Sequence, residues 1–305
     1  QARRPDAGGT PPRNLVFLLD VSGSMGPADK LPLVRSAMSL LTTTLTERDR
    51  VAIVVYAGSS GVVLPPTPGD QQDRILEAIR NLRAGGTTNG ASGIELAYRL
   101  AAEHFDMRGV NRVILATDGD FNTGTTSRSE LLDLIEARRK TGIYLSVLGV
   151  GDDNLKDGTM EQIADRGNGN YAYLDSLEEA EKVLVREAGA TFVTVAKDVK
   201  IQVEFNPARV AAYRLIGYEN RALKAEDFKD DAKDAGEIGA GHSVTALYEI
   251  VPPAASAPDR AVDQLRYQRD RARSSAAASG ELAIVKLRYK RPGNDASVPI
   301  DVVVD

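Results

Sequence analysis

Asp20-Val21-Ser22-Gly23-Ser24 sets a carboxylate and two hydroxyls at every second position of one short stretch. Alternate residues of an extended segment project to the same side, so the three oxygens can face one point. Two more stretches add the same chemistry. Ala84-Gly85-Gly86-Thr87-Thr88-Asn89-Gly90 carries a hydroxyl pair among glycines that permit a tight backbone. Ala116-Thr117-Asp118-Gly119-Asp120 carries Asp118 at the end of an apolar run. All these donors are oxygen. Hydroxyls and carboxylates without His or Cys define a hard-cation site that suits Mg²⁺, and also Mn²⁺ or Ca²⁺, and disfavours zinc and copper. Ser22, Ser24, Thr88 or its neighbour Thr87, and one or two carboxylates fall short of the octahedral shell of Mg²⁺, so waters or an outside oxygen must complete it. Neutral hydroxyls among the ligands leave the ion electrophilic. An Asp or Glu carboxylate of a partner protein is then a favoured last ligand, strong in a partly desolvated contact where Coulomb attraction is less damped.

Positioning these residues requires strands that end at one edge. Leu15 to Leu19 is a continuous apolar run fit for burial on both faces of a sheet. Leu31, Val34, Met38, Leu41 and Leu45 recur at helical spacing after it. Val51 to Tyr56 reads as the next strand, and 58–69 as a loop around a short edge strand at Val62 to Leu64. Ile75, Ile79 and Leu82 mark a second helix, and Ile94, Ala97, Ala101 and Phe105 a third. Val113 to Thr117, Ile143 to Val150 and Tyr171 to Leu174 supply further strands. Capping boxes at Ser92/Glu95, Ser127/Glu130, Thr159/Gln162 and Ser176/Glu179 predict helix starts. This alternation is the signature of a doubly wound, mostly parallel α/β sheet, in which ligands sit at the carboxyl edge of the strands. From Thr191 the period changes to two. Val199, Ile201, Val203 and Phe205 alternate with Lys200, Gln202 and Glu204, which predicts one buried and one wet face. Similar strands run at 210–217, 244–251, 282–289 and 298–304, while 222–241 reads as a loop and 252–279 as a loop or a partly helical segment. The chain therefore divides into a polar leader at 1–13, an α/β domain at 14–190 and a smaller all-β, sandwich-like domain at 191–305. The last of these is expected to draw strands from sequence outside these residues, and Gln1 at the start implies a processed or trimmed terminus.

Composition narrows the chemistry. With 38 Lys+Arg against 43 Asp+Glu the net charge is −5, and no basic cluster is dense enough to track phosphates, so nucleic acid is not an expected partner. No cysteine is present, which excludes disulfides, thiolate zinc and thiol catalysis. No apolar run approaches the ~20 residues of a membrane span. A lone Asp-x-Ser-x-Ser is ordinary turn chemistry; together with the Thr87-Thr88 pair and Asp118 in their contexts it reads as a metal site. Asp118-Gly119-Asp120-Phe121-Asn122-Thr123-Gly124 fails as a calcium loop because its glycine comes one place late and Ser129 stands where Glu is required. Asp120 and Asn122 read as loop-shaping residues. A phosphoryl-transfer site would want a second Asp two places after Asp20, where Ser22 stands, and a balancing lysine that is not evident at the matching place. Ser24 lacks the Gly-x-Ser-x-Gly elbow, and only His104 and His242 could serve it as base. Both histidines, and Tyr213, Tyr218 and Tyr248, read first as structural.

Asp20-x-Ser22-x-Ser24, Thr88 and Asp118 resemble the complete metal-ion-dependent adhesion site of the von Willebrand factor type A domain, in the family's order and over roughly 14–190. The resemblance implies a parallel sheet flanked by helices. It also implies Mg²⁺ held by Ser22, Ser24 and Thr88, with Asp20 and Asp118 directly or through water, and a protein ligand donating a carboxylate. The family spacing to Gly93-Ile94 prefers Thr88 to Thr87. Tyr213 to Arg221, Asp227-Phe228, Asp234 to His242 and Val244 to Glu249 resemble the C-terminal region of bacterial YfbK-like members of the family. This implies a location outside the cytoplasm, in the cell envelope. The expected function is a non-enzymatic, metal-dependent protein-binding module for adhesion or assembly. A structural envelope scaffold with a stabilising metal is the alternative, and a Mg²⁺-dependent phosphohydrolase a weaker one.

Overall fold

The structure is a computed structural model that describes residues 11–86, 91–119, 128–152, 157–186, 194–217, 223–231, 233, 235–240, 243–253, 274–292, 294 and 296–305. It divides after Thr194 into two compact units, with a short run beginning at Glu237 counted with the first.

The first unit is built on β1 (Arg13–Asp20), a strand in which every residue is buried. β1 lies parallel between β2 (Arg50–Tyr56) and β4 (Val110–Thr117). With β3 (Ser60–Pro68), β5 (Tyr144–Val150) and β6 (Tyr171–Leu174), the order is β3-β2-β1-β4-β5-β6, all parallel except β3. This is the doubly wound sheet expected from the alternating pattern, and the direction of winding reverses between β1 and β4. The alternation along β1 divides the core. Leu15, Phe17 and Leu19 join α1 (Leu31–Thr42), α2 (Gln72–Arg80) and α6 (Leu177–Glu181) in one apolar cluster. Val16 and Leu18 join α3 (Ala91–Glu103), α4 (Arg128–Arg139) and α5 (Asp157–Arg166) in the other. Burying an apolar strand on both faces is the largest stabilising term available to such a sheet, at roughly 25 cal/mol per Å².

Some local expectations change. β3 is nine residues long instead of a short strand at Val62 to Leu64 and runs through Pro65 and Pro66. An edge strand has one side free of the ladder, so missing N–H donors are tolerated there. Of the capping boxes, Ser176 accepts from the Glu179 N–H at 3.2 Å, whereas Ser92 and Thr159 fall inside the first turns of α3 and α5 instead of before them. Ser127 lies outside the described residues. Among the described residues no helix is long and apolar enough to cross a membrane.

In the second unit β7 (Thr194–Phe205), β11 (Ala283–Lys290) and β12 (Ser297–Val304) form an antiparallel sheet. β8 (Ala212–Ile216) and β10 (Leu247–Val251) form a separate two-stranded ribbon. Residues 222–241, read as loop, contain a 3-10 turn at Ala225–Lys229 and a short strand, β9 (Gly236–Gly239). The two faces of β7 do not separate as its alternation predicts. Lys200 is buried and Ile201 is 48% exposed. Lys200 Nζ lies 3.2 Å from Asp198 Oδ1 and donates to the Asp230 carbonyl at 2.6 Å, so its charge is compensated in place. Ile201, Leu287 and Ile300 stand in one cross-strand row, and Ile300 is also exposed.

The amino-terminal ends of β1 and β2 are pinned by a buried pair. The Asp49 carboxylate accepts from Arg13 Nε and Nη2, each at 2.9 Å, and from the Thr46 N–H at 2.8 Å. Burial alone pushes the Asp49 carboxyl up, but these donors and the guanidinium charge hold it below its usual value. A lowered folded value gives stability that is present above the unfolded pKa of about 3.9 and is lost as pH falls through the folded value. Asp49→Asn should therefore lower stability by about 3 kcal/mol at neutral pH, because a buried guanidinium loses its counter-charge. Urea melts between pH 2 and 7 should show the gap to wild type closing towards the acid end; a constant gap contradicts the assignment.

Candidate metal centre at the carboxyl edge of the sheet

β1 and β4 deliver Asp20 and Asp118 to the same edge, on either side of the point where the winding reverses. This is where an open α/β sheet offers its crevice to ligands. Asp20 is fully buried. Its Oδ1 accepts from the Ser22 N–H at 2.8 Å, and its Oδ2 accepts from the Tyr56 hydroxyl at 3.2 Å and the Thr117 hydroxyl at 3.3 Å. Tyr56 is in place because the parallel register sets it opposite Asp20. Burial raises the Asp20 carboxyl above its usual value; the hydrogen bonds from Ser22 and Tyr56 work against that, and the charge of Asp118 adds to it. Burial likewise pushes the Tyr56 hydroxyl well above its ordinary range, with the Asp20 charge second, so it remains a donor. Beyond Asp20 the chain makes a single 3-10 turn at Gly23–Met25, and the hydroxyls of Ser22 and Ser24 come within 3.0 Å of each other.

The second loop is tied onto the first by its backbone. The Gly85 N–H donates to the Val21 carbonyl at 2.7 Å, and the Gly23 N–H donates to the Gly86 carbonyl at 3.1 Å. Gly86 has φ +93, where a side chain is strained, and a Cβ there would press on Ala57 at 3.4 Å. The Gly85-Gly86 segment thus lies against Val21 and Gly23 of the Asp20-x-Ser22-x-Ser24 loop. Thr87 and Thr88 themselves lie outside the described residues, as do Asp120, Asn122, Tyr218 and His242.

Asp118 is 1% exposed. Its Oδ2 accepts from Lys30 Nζ at 3.2 Å, and Lys30 is equally buried. Its Oδ1 is buried without a hydrogen-bond partner among the described residues. Native proteins rarely leave a buried carboxylate oxygen unsatisfied, because it retains its desolvation cost with nothing to offset it. The chemistry fits a divalent cation on three counts: an orphaned anionic oxygen, a second carboxylate whose ionised form is disfavoured by burial, and two adjacent hydroxyls. No group of three or more His, Asp or Glu side chains gathers among the described residues, so a cation at this edge has to draw on hydroxyl ligands.

The sequence pattern singled out Asp20, Ser22, Ser24 and Asp118 but not Tyr56, Thr117 or Lys30. Register counting from β1 to β2 would have found Tyr56. Thr117 adjoins Asp118 and was visible only as a strand residue. Lys30 reaches this edge from the start of α1 and pairs with Asp118, and nothing in its sequence surroundings announces a buried ammonium. His104 lies far from the site, beside a cleft of about 420 Å³ at the opposite end of the sheet that Arg48, Arg50 and Arg108 also line. Tyr213 and Tyr248 pack on Phe205, with ring centroids 4.7 and 5.4 Å away.

Comparison with known proteins agrees with this architecture. The family description "von Willebrand factor type A domain" matches residues 14–186, and "Uncharacterized protein YfbK, C-terminal" matches 190–305. The Escherichia coli K12 protein "Uncharacterized protein YfbK" is 47% identical over 282 residues, covering 92% of this chain and 48% of that protein. The chain thus spans about half the length of that relative. The magnesium-chelatase 67 kDa subunit of Chlorobaculum tepidum is 26% identical over 185 residues, 55% of this chain and 29% of that protein. A solved von Willebrand factor type A structure from Catenulispora acidiphila superposes with a TM-score of 0.55 at 18% identity, over 96% of this chain and 67% of that one, which is likeness of fold.

The Tyr56 hydroxyl is buried and donates to Asp20, with the Thr117 hydroxyl also within hydrogen-bonding reach. Tyr56→Phe should cost about 1–3 kcal/mol in urea unfolding, the range for leaving a buried acceptor short of a donor. An effect below about 0.5 kcal/mol would show that Asp20 does not depend on it.

Proposed function

The chain belongs to the von Willebrand factor type A family, and on that premise we propose that it is a metal-dependent protein-binding module. Such domains are typically interaction modules, and the proposal assigns this one a non-enzymatic role in adhesion or assembly. Asp20, Ser22, Ser24, Thr88 and Asp118 would hold the ion, with Mg²⁺ the first choice by its preference for hard oxygen donors. The ion would supply a positive centre for a partner's Asp or Glu carboxylate. The chain's own residues do the rest. Tyr56 and Thr117 orient Asp20, and the backbone bonds of Gly85 and Gly86 tie the segment that precedes Thr87 to the Asp20 loop.

The observation that carries this reading is the buried Asp118 Oδ1, which has no hydrogen-bond partner among the described residues, at the same edge as a buried Asp20 and a hydroxyl pair. An edge made for hydrolysis would present a nucleophile with a base beside it. Among the described residues no histidine is there: His104 borders the cleft at the far end of the sheet. A place in the bacterial cell envelope, outside the cytoplasm, belongs to the proposal through the likeness to YfbK-like proteins alone.

Calorimetric titration with Mg²⁺ and Mn²⁺ tests the site. Wild type should bind one equivalent, and Ser22→Ala and Asp118→Ala should each abolish the heat. At a metal concentration 100 times Kd, wild type should also gain about 2.7 kcal/mol of stability. An unchanged titration in both variants rejects the assignment. Partner capture that survives a chelator would favour the scaffold reading.

A further inference from the structure

The cleft of about 420 Å³ at the amino-terminal end of the sheet is bordered by the starts of β1 and β2 and by the turn that leads into β4. Arg48, Arg50 and Arg108 line it. They come from two distant stretches of the chain, so no basic run in the sequence announces them. Arg48 and Arg50 flank Asp49, whose carboxylate is committed to Arg13 and the Thr46 N–H. Arg108 stands on a braced turn. Its N–H donates to Asp106 Oδ1 at 2.8 Å, while Asn111 accepts from the Asp106 N–H at 2.9 Å and donates to the Asp106 carbonyl at 2.7 Å. Asn111 is itself buried and accepts from Asn14 at 3.2 Å, and the Val110 N–H closes the turn onto the Pro12 carbonyl at 2.7 Å.

Among the described residues, no hydrogen bond or ion pair occupies the side chains of Arg48, Arg50 and Arg108, and Asp106 is the only carboxylate that lines the cleft. Like charges gathered in a concave site repel one another and focus a positive field there. The residue type matters as well. A guanidinium presents a planar fork that grips phosphate or carboxylate through two parallel bonds, which an ammonium does not. The volume falls within the roughly 300–1,000 Å³ of small-molecule sites, but the lining is mostly polar where a neutral ligand would call for an apolar one.

We propose that this cleft binds a small, multiply charged oxyanion, a compound bearing phosphate or several carboxylates, through Arg48, Arg50 and Arg108. The site is independent of the metal centre, which lies at the other end of the strands. Phe105 and Met107, exposed beside the guanidiniums, offer contact to the organic part of such a ligand. The buried Arg13–Asp49 pair and the Asn111 brace hold the backbone on both sides of the cleft, so little has to be reorganised on binding.

Calorimetry on metal-free protein, with pyrophosphate and citrate as probes, tests it. Both anions chelate divalent ions, so metal-free conditions keep this site apart from the metal centre. Wild type should bind one equivalent of at least one probe saturably. Arg48→Gln and Arg108→Gln, both at exposed positions, should each weaken that binding about tenfold, on the order of one charge-assisted hydrogen bond. Arg74→Gln, on α2, should bind as wild type does. Tighter binding of pyrophosphate identifies the ligand class as a phosphate compound, and tighter binding of citrate as a polycarboxylate; either supports the proposal. No saturable heat with either anion overturns it. So does undiminished binding by Arg48→Gln and Arg108→Gln that are folded by circular dichroism, or an equal loss in Arg74→Gln, which would mark unspecific attraction to positive charge. If one cleft variant fails to fold, the other decides.

Discussion

Two carboxylates buried at one edge of a parallel sheet constrain everything around them. Asp20 and Asp118 stand at the carboxyl ends of neighbouring strands, each almost without solvent, and burial, with the charge of Asp118 adding to it, makes Asp20 harder to ionise. Such a pair is tolerable only with compensation. The fold supplies it through the Ser22 N–H, the Tyr56 and Thr117 hydroxyls and the Lys30 ammonium, and among the described residues it stops one oxygen short, at Asp118 Oδ1. That incomplete compensation is what gives the edge its chemistry.

The scaffold's task is to hold the pair rigidly. β1 is apolar on both faces and clamped in register between β2 and β4, so Asp20 has little freedom to swing away from Asp118. At the opposite end of the same strand, Arg13 and Asp49 form a buried pair of the opposite design, with both charges fully met and nothing left for a ligand. The contrast separates a structural ion pair from a candidate site: the difference is an oxygen left without a partner among the described residues.

Much of this was legible in the residues. The strand-helix alternation gave the doubly wound sheet because each strand is a continuous apolar run and each helix carries one apolar stripe, two periods that do not mimic each other. The three oxygen-bearing segments were legible because they sit where those strands must end. Tyr56, Thr117 and Lys30 were not, since their roles come from lateral register and from a side chain reaching back from a helix start, and no local pattern encodes either. In the second unit the period-two rule misled. Lys200 occupies the position that alternation gives to solvent, yet Asp198, which is also paired with Lys290 at 2.9 Å, makes its burial affordable. Ile201 is left in the open.

A crystal structure grown with Mn²⁺ tests the central claim most directly, because that ion's anomalous scattering marks its position without reference to any chemical assumption. The account predicts a single anomalous peak bounded by oxygens of Asp20, Ser22, Ser24, Thr88 and Asp118. Crystals saturated with Mn²⁺ that show no peak there, or a peak bound elsewhere on the chain, would contradict it.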